Sequence, residues 1–304
     1  MMKQAKAPVY ETEEPLIKPT SDLFTAVLWS APKNEPLLRD FLNAVLLDHQ
    51  QPPIQEATVL NPFNIKEFAF DRQLVLDVRV RDEAGHRYNI EVQTAPHTGF
   101  CNRMLFHWAD IYAALLRTGD DFTQLVPVKS VVIADFPIFP ELRDLHTVFE
   151  VRSRENPKVL LSEHLQIHFL RLGDMLKRQL DGLTALGDSL QHWMNFFAFG
   201  ATTTEDKMTQ MIENSPAVRA AYEEFQRFTL NAEMREVERR RRRYAEDVRI
   251  IKDAARDEGL AEGKAEGKAE RDIEIARNMK QKGYDCGAIA ELTGLSPQEI
   301  ERLD

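Results

Sequence analysis

The sequence has few cysteines and no long apolar run. Only two cysteines, Cys101 and Cys286, occur in 304 residues, and neither has partners at metal-ligand spacing. This excludes a disulfide framework and a cysteine-based zinc site, and it predicts a protein of the reducing cytoplasm. The first residues contain no apolar stretch typical of a signal peptide, and nowhere do 18 apolar residues run together. The sequence therefore predicts neither secretion nor membrane insertion.

A surplus of positive charge is also missing. The net charge is −10 at pH 7, which argues against a protein that coats nucleic acid through a global positive field. An enzyme that binds DNA through divalent metals and a few arginines can still be acidic overall. The 43% hydrophobic and 29% charged residues are typical of a globular protein. The length favours one main domain of about 200 residues with an appendage.

The chain divides into four segments by composition. We expect a flexible arm over residues 1–20 and an α/β domain over 21–204. Residues 205–270 form a charged region that predicts a long helix, and residues 271–304 a small helix-turn-helix-like segment.

Within the main domain, apolar periodicity predicts helices and strands in alternation. The first helix begins at an N-cap, Ser21 or Asp22. The further predicted elements are a helix with an apolar stripe over 37–46, a strand or extended segment at 57–63, a hairpin at 74–94, a helix at 102–117, and strands at 129–136, 146–153 and 165–172. This order predicts an α/β or α+β domain with a mixed sheet flanked by helices.

The hairpin segment, LVLDVRVRDEAGHRYNIEVQT, has a well-determined register. A three-residue loop over 83–85 places a glycine where a left-handed conformation is needed. The resulting pairs are 81 with 87, 79 with 89, and 77 with 91. Alternation then puts the apolar residues on one face and Asp77, directly across from Glu91, on the other.

Two opposed carboxylates are destabilising unless something offsets their repulsion. A divalent cation would do so, because carboxylate oxygens suit magnesium or manganese, with water and a substrate phosphate as further ligands. Such an ion can activate water for phosphodiester cleavage. The alternative is a solvated face on which Arg79 or Arg87 pairs with the acids.

The C-terminal region carries two patterns. Residues 231–258 include five consecutive arginines and predict a solvated helix or self-association through sparse apolar positions. Gly259, Gly263 and Gly267 recur every four residues, which favours a helical seam for close packing or a hinge.

The last 30 or so residues predict helices separated by turns, and Ser296 stands at a predicted N-cap with Glu299 at the third helical position. The last predicted helix carries more acids than bases, so contact with a protein or helical packing is an alternative to DNA recognition.

Taken in order, five features resemble one known group of proteins: SDLFTAVL, LLRDFLNAVL, LDVRVRDEAGHRYNIEVQT, RMLFHWADIYAALLRTGDDFTQLVPVKSVVIADFPIF and a charged helical tail. The group is the Rpn family of recombination-promoting nucleases and putative transposases, in the PD-(D/E)XK nuclease superfamily. The resemblance implies a restriction-endonuclease-like α/β core and magnesium-dependent DNA cleavage, with Mn²⁺ as a substitute.

The resemblance also implies roles for single residues. Asp77 and Glu91 fall on the metal-binding acids, and Gln93 falls where most of the superfamily has lysine. Asp22 matches an acid that the group carries near its first helix. Arg103 matches a position at which members of the group often have the same residue, and it is a candidate for substrate binding.

Other interpretations of these residues remain open. Asp22 could be only an N-cap, while Arg103, near a helix start, gains nothing from the helix dipole and should have a phosphate or acid partner. Tyr112, also at a family position, suits core packing. Because neutral Gln93 can only orient groups by hydrogen bonds, catalysis would depend more on the metal or on a cation such as Arg103 or Lys66.

Two functional hypotheses follow. One is a metal-dependent DNA endonuclease of the recombination-promoting type, in the bacterial cytoplasm, serving mobile-element biology or phage defence. The other is a catalytically weak or inactive DNA- or protein-binding module. In both cases the C-terminal helices would assemble a homo-oligomer.

Overall fold

The computed structural model describes residues 16–62, 77–96, 98–177 and 186–303. Lys66, most of the predicted arm and the first residues of the predicted hairpin lie outside these ranges. The helices are α1 (Asp22–Ser30), α2 (Glu35–Asp48), α3 (Phe100–Ala113), α4 (Leu172–Lys177), α5 (Asp188–Phe199), α6 (Glu205–Met211), α7 (Pro216–Leu230), α8 (Ala232–Gln281), α9 (Cys286–Thr293) and α10 (Pro297–Glu301). Short 3₁₀ helices occupy Pro32–Asn34 and Phe122–Gln124.

The strands form one six-stranded mixed sheet. They are β1 (Thr58–Val59), β2 (Val78–Arg81), β3 (Arg87–Gln93), β4 (Val128–Ala134), β5 (His146–Phe149) and β6 (Leu165–Arg171). Their order is β1-β2-β3-β4-β6-β5, with β3, β4 and β6 parallel and the remaining pairs antiparallel. The predicted α/β class, a mixed sheet flanked by helices and followed by a helical region, is confirmed.

The hairpin has the predicted register over its described part. Arg79 pairs with Asn89 and Arg81 with Arg87. Gly85 has a φ of 88°, so glycine supplies the left-handed residue that the loop requires. Asp77 lies one residue before β2, and continuing the pairing by one step places it across from Glu91.

Helices cover both faces of the sheet. The larger core joins α1, α2, α5 and α7 to one face, and its largest fully buried side chains include Trp29, Phe41, Trp193 and Phe197. Burying a side chain of this kind contributes about 1.5–3 kcal/mol each. On the opposite face, Phe100 and Met104 of α3 pack against β4 and β6.

The polar face of the hairpin is therefore not solvated throughout. Arg79 on β2 is exposed, but Asn89 and Glu91 on β3 are only 1% and 2% exposed. The alternative of a solvated face does not hold at β3, because α3 packs on that face of the adjoining strands and removes its centre from water. At β2 the pairing that this alternative expected is present, since Arg79 donates to Asp77.

Contacts divide the chain into two units, residues 1–238 and 239–304. In the first, α6 and α7 add Met208, Val218 and Phe225 to the larger core. Within the described ranges, no helix combines the length and apolar content that a membrane span requires.

The second unit has a small core of its own. Ala276 near the end of α8 packs with Ile289 of α9 and Ile300 of α10. The predicted capping box is present: Ser296 Oγ accepts from the Glu299 amide, and the Glu299 carboxylate accepts from the Ser296 amide at 2.8 Å.

Candidate nuclease site

Glu91 is the centre of a charged cluster beneath α3. Its Oε1 accepts hydrogen bonds from Arg103 Nη2 at 2.6 Å and from Gln93 Nε2 at 2.8 Å. Its Oε2 lies 3.2 Å from Nδ1 of His107. A carboxylate this buried requires such partners, because an unpaired charge away from water is costly.

The first turns of α3 supply the two basic groups. Arg103 and His107 are four residues apart and share one face of the helix, so both reach the same acid. The acid partner expected for Arg103 is thus observed. Its Nε is buried with no hydrogen-bond partner among the described residues.

Asp77 lies one residue before β2, and its side chain is 19% exposed. Its Oδ2 accepts from Arg79 Nε at 3.1 Å, and its backbone carbonyl accepts from Asn61 Nδ2 at 2.8 Å. By the register of the hairpin, its side chain belongs to the same sheet face as Glu91. The register thus predicts one accessible and one buried acid on that face.

Gln93 ends β3 and directs its amide towards Glu91. Its carbonyl accepts from the Asp135 amide at 2.8 Å, so the carboxyl ends of β3 and β4 are joined there. The Asp135 carboxylate accepts from Lys18 Nζ at 3.0 Å and Thr20 Oγ1 at 3.2 Å. The segment that precedes α1, with Lys18 and Thr20, therefore lies at this end of the sheet.

Asp22 comes directly after that segment and is the first residue of α1. The N-cap is Ser21, whose Oγ accepts from the Phe24 amide, so Asp22 is not the cap. Asp22 is exposed in the first helical turn, where its charge interacts favourably with the helix dipole.

Tyr112 takes part in different contacts. Its ring stacks on Trp108 at 4.9 Å between centroids, and its hydroxyl pairs with Nδ1 of His164 at 2.9 Å. These contacts favour the packing interpretation.

Sequence reasoning missed His107, which contacts Glu91, and Asp135, whose amide donates to the Gln93 carbonyl. His107 could have been found, because its spacing from Arg103 predicts a shared helical face. Asp135 follows the apolar strand β4 directly, and an acid at the end of a central strand is a signal for a site.

The donor set fits a hard divalent cation. Asp77 and Glu91 offer carboxylate oxygens, the ligands that Mg²⁺ and Mn²⁺ prefer. Glu91 is buried against the Arg103 guanidinium, so this position already holds one compensating positive charge.

Two family models match the chain. The model of the PD-(D/E)XK nuclease family transposase matches residues 19–255. The model of the C-terminal HTH domain of the Rpn/YhgA-like nuclease family matches residues 269–304. No curated protein and no solved structure matches the chain. The two family matches indicate a nuclease- or transposase-like function with DNA binding, and the chain belongs to the PD-(D/E)XK nuclease family transposases of the Rpn/YhgA-like type.

Proposed function

We propose that the protein is a DNA endonuclease that uses Mg²⁺, or Mn²⁺ in its place, held by Asp77 and Glu91. The observation that carries this proposal is the buried Glu91 carboxylate, on the sheet face of Asp77 and in contact with Arg103. Bound there, the ion would activate water and neutralise charge during phosphodiester hydrolysis.

The neighbouring residues have distinct roles in this proposal. The Gln93 amide orients the attacking water by hydrogen bonds, and Asp22 assists at the same end of the sheet. Gln93 is uncharged and cannot stabilise charge on the phosphate as a lysine would. We therefore expect slow or conditional cleavage.

Arg103 links substrate binding to the acids. Its side chain is 33% exposed while it pairs with Glu91, so it can reach a DNA phosphate from its present position. Guanidinium groups bind phosphate as well as carboxylate. A phosphate that takes Arg103 from Glu91 leaves Oε1 bonded to the neutral Gln93 amide alone, so this oxygen gains a free lone pair for a metal ion. DNA binding would thereby promote metal binding.

One observation favours a second candidate, a catalytically weak or inactive binding module. Both oxygens of Glu91 are engaged by Arg103, Gln93 and His107. If these contacts persist with DNA bound, Glu91 serves structure only.

The biological setting belongs to the same proposal. We place the enzyme in the bacterial cytoplasm, in mobile-element biology, recombination or phage defence. Assembly through the C-terminal helices into a homo-oligomer would let two sites make paired nicks.

Plasmid cleavage tests the nuclease. Wild type should nick or linearise plasmid with Mg²⁺ or Mn²⁺ and not with EDTA, and Asp77→Ala should be inactive. Glu150→Ala is a matched control, since Glu150 also pairs with an arginine two residues on and its side chain is 16% exposed. The control should cleave as wild type does. Equal cleavage by Asp77→Ala would overturn the assignment, and metal-independent DNA binding without cleavage would favour the binding module.

A further inference from the structure

A second cluster of metal-ligating side chains lies on the other face of the sheet. Asp48 ends α2, His49 caps that helix, and His146 begins β5. His168 of β6 aligns with Val131 of the larger core, whereas Glu91 aligns with Val132 beneath α3. The two clusters are therefore separated by the sheet.

We propose that Asp48, His49 and His146 bind one divalent transition-metal ion of the zinc class. One potential ligand atom from each residue lies within 4.8 Å of the other two. In a tetrahedral zinc site, ligand atoms about 2.0–2.2 Å from the metal lie about 3.3–3.6 Å from each other. Small side-chain rotations bring exposed His49 to this spacing and move the hydrogen-bonded atoms of Asp48 and His146 apart to it.

The pairing of His146 with Asp48 is arranged for such an ion. His146 Nδ1 lies 2.7 Å from Asp48 Oδ2, and Asp48 Oδ1 accepts from the Gly187 amide at 2.7 Å. The ion takes the place of the proton between Nδ1 and Oδ2, while the Gly187 contact keeps the carboxylate oriented. The His49 ring stands nearly perpendicular to that of His146, with centroids 4.3 Å apart.

The turn after α2 fixes the two adjacent ligands. Gln50 is left-handed, with a φ of 57°, and the amides of Gln50 and Gln51 donate to Leu47 and Leu46. This is a Schellman arrangement, which ends the helix at a defined residue. Lys129 also holds the turn by donating to the Gln51 side chain at 2.6 Å.

His168 supplies a supporting contact beyond the ligands. It is fully buried, and its Nδ1 lies 2.9 Å from His146 Nε2. Metal-binding histidines characteristically use the second ring nitrogen for such a contact, which fixes their orientation. His168 Nε2 has no hydrogen-bond partner in the described part of the chain. A fully buried histidine whose hydrogen bond goes to His146 suits this supporting role.

The ligand atoms of this site favour a different metal from those of the nuclease site. Two imidazole nitrogens and one carboxylate suit zinc and neighbouring transition metals, whereas Mg²⁺ prefers oxygen ligands alone. Three protein ligands leave one position for water or another small ligand.

Zinc titration of metal-free, full-length protein tests the proposal by calorimetry, with Co²⁺ absorption as a second readout of coordination. Wild type should bind one Zn²⁺ in this site, and His49→Ala should weaken that binding at least about tenfold. His49 is exposed, so its removal spares the core. Asp48→Asn, which keeps the side-chain shape and the Gly187 contact, should weaken it likewise.

Two controls make the result specific. His86→Ala removes a similar pair, His86 Nδ1 to Asp82 Oδ2 at 2.8 Å, which has no third metal-ligating side chain within the described ranges. Asp77→Ala removes a nuclease acid. Both should keep zinc affinity. The proposal is overturned if wild type binds no stoichiometric Zn²⁺, or if binding depends on Asp77 and not on His49.

Discussion

Arg103 Nη2 and Glu91 Oε1 lie 2.6 Å apart, joining the first turn of α3 to β3. Glu91 is 2% exposed in this pair, whereas in the pair of Asp77 with Arg79 the two side chains are 19% and 45% exposed. The same chemical interaction therefore occurs in two solvent environments within one site. Screening by water makes the exposed pair much weaker.

A pair of double-mutant cycles should measure this difference. We expect a coupling free energy of about 1–3 kcal/mol between Glu91 and Arg103, using Glu91→Gln and Arg103→Met. The exposed pair, using Asp77→Asn and Arg79→Met, should give about 0.2–1 kcal/mol. Urea unfolding of the four variants and two doubles supplies the values. Equal couplings would show that Glu91 is more hydrated in solution than its burial indicates.

Arg103 should also control access of metal to Glu91. In Arg103→Ala the carboxylate loses its principal cation, so Mn²⁺ should bind more tightly without DNA while DNA binds more weakly. Mn²⁺ electron paramagnetic resonance and a DNA-binding titration measure the two affinities. Arg152→Ala, which removes an arginine paired with Glu150, is the control and should change neither. Unchanged Mn²⁺ affinity in Arg103→Ala would argue against Glu91 as a ligand.

Local patterns predicted the hairpin and the last helix because the information lies in neighbouring residues. Alternation and one glycine determine the pairing of Arg79 with Asn89. The capping box needs only Ser296 and Glu299, three positions apart. The same register predicted that Asp77 lies across from Glu91, and the resemblance to the Rpn family implied a metal-binding role for the two acids.

The partners of these acids could not be predicted in the same way. Arg103 meets Glu91 only because α3 packs on the face of the sheet to which Glu91 belongs, and apolar periodicity does not say which face a helix covers. The contact between Asp48 and His146 spans 98 residues and depends on how α2 ends beside β5. Both are consequences of tertiary packing.

Gly85 should contribute to stability through its backbone conformation alone. Its φ is 88°, and a Cβ there would meet nothing within 4 Å among the described residues. Gly85→Ala should therefore lower the free energy of unfolding by about 1–2 kcal/mol, from left-handed strain without a clash. Chemical denaturation measures the change. Ala84→Gly, the neighbouring loop position, should cost less, and a neutral Gly85→Ala would mean that the loop adopts another turn.

Replacing the three glycines of α8 with alanine should change stability in the opposite direction. A Cβ at Gly259, Gly263 or Gly267 meets nothing within 4 Å in the described part of the chain, and all three lie inside a helix of 50 residues. Each glycine-to-alanine change should stabilise the helix by about 0.5–1 kcal/mol, and Ala265→Gly should destabilise it equally. Circular dichroism melting of the triple alanine variant checks the sum.

The same triple variant tests the proposed assembly through the C-terminal helices. If the glycines form a seam for a second copy, added methyl groups hold the backbones apart and weaken association even as each helix becomes more stable. Sedimentation equilibrium should then show a larger dissociation constant beside a higher melting temperature. Tighter or unchanged association would assign the contact to another face of α8. Only a surface that includes the three glycines is altered by the methyl groups of the substituted alanines.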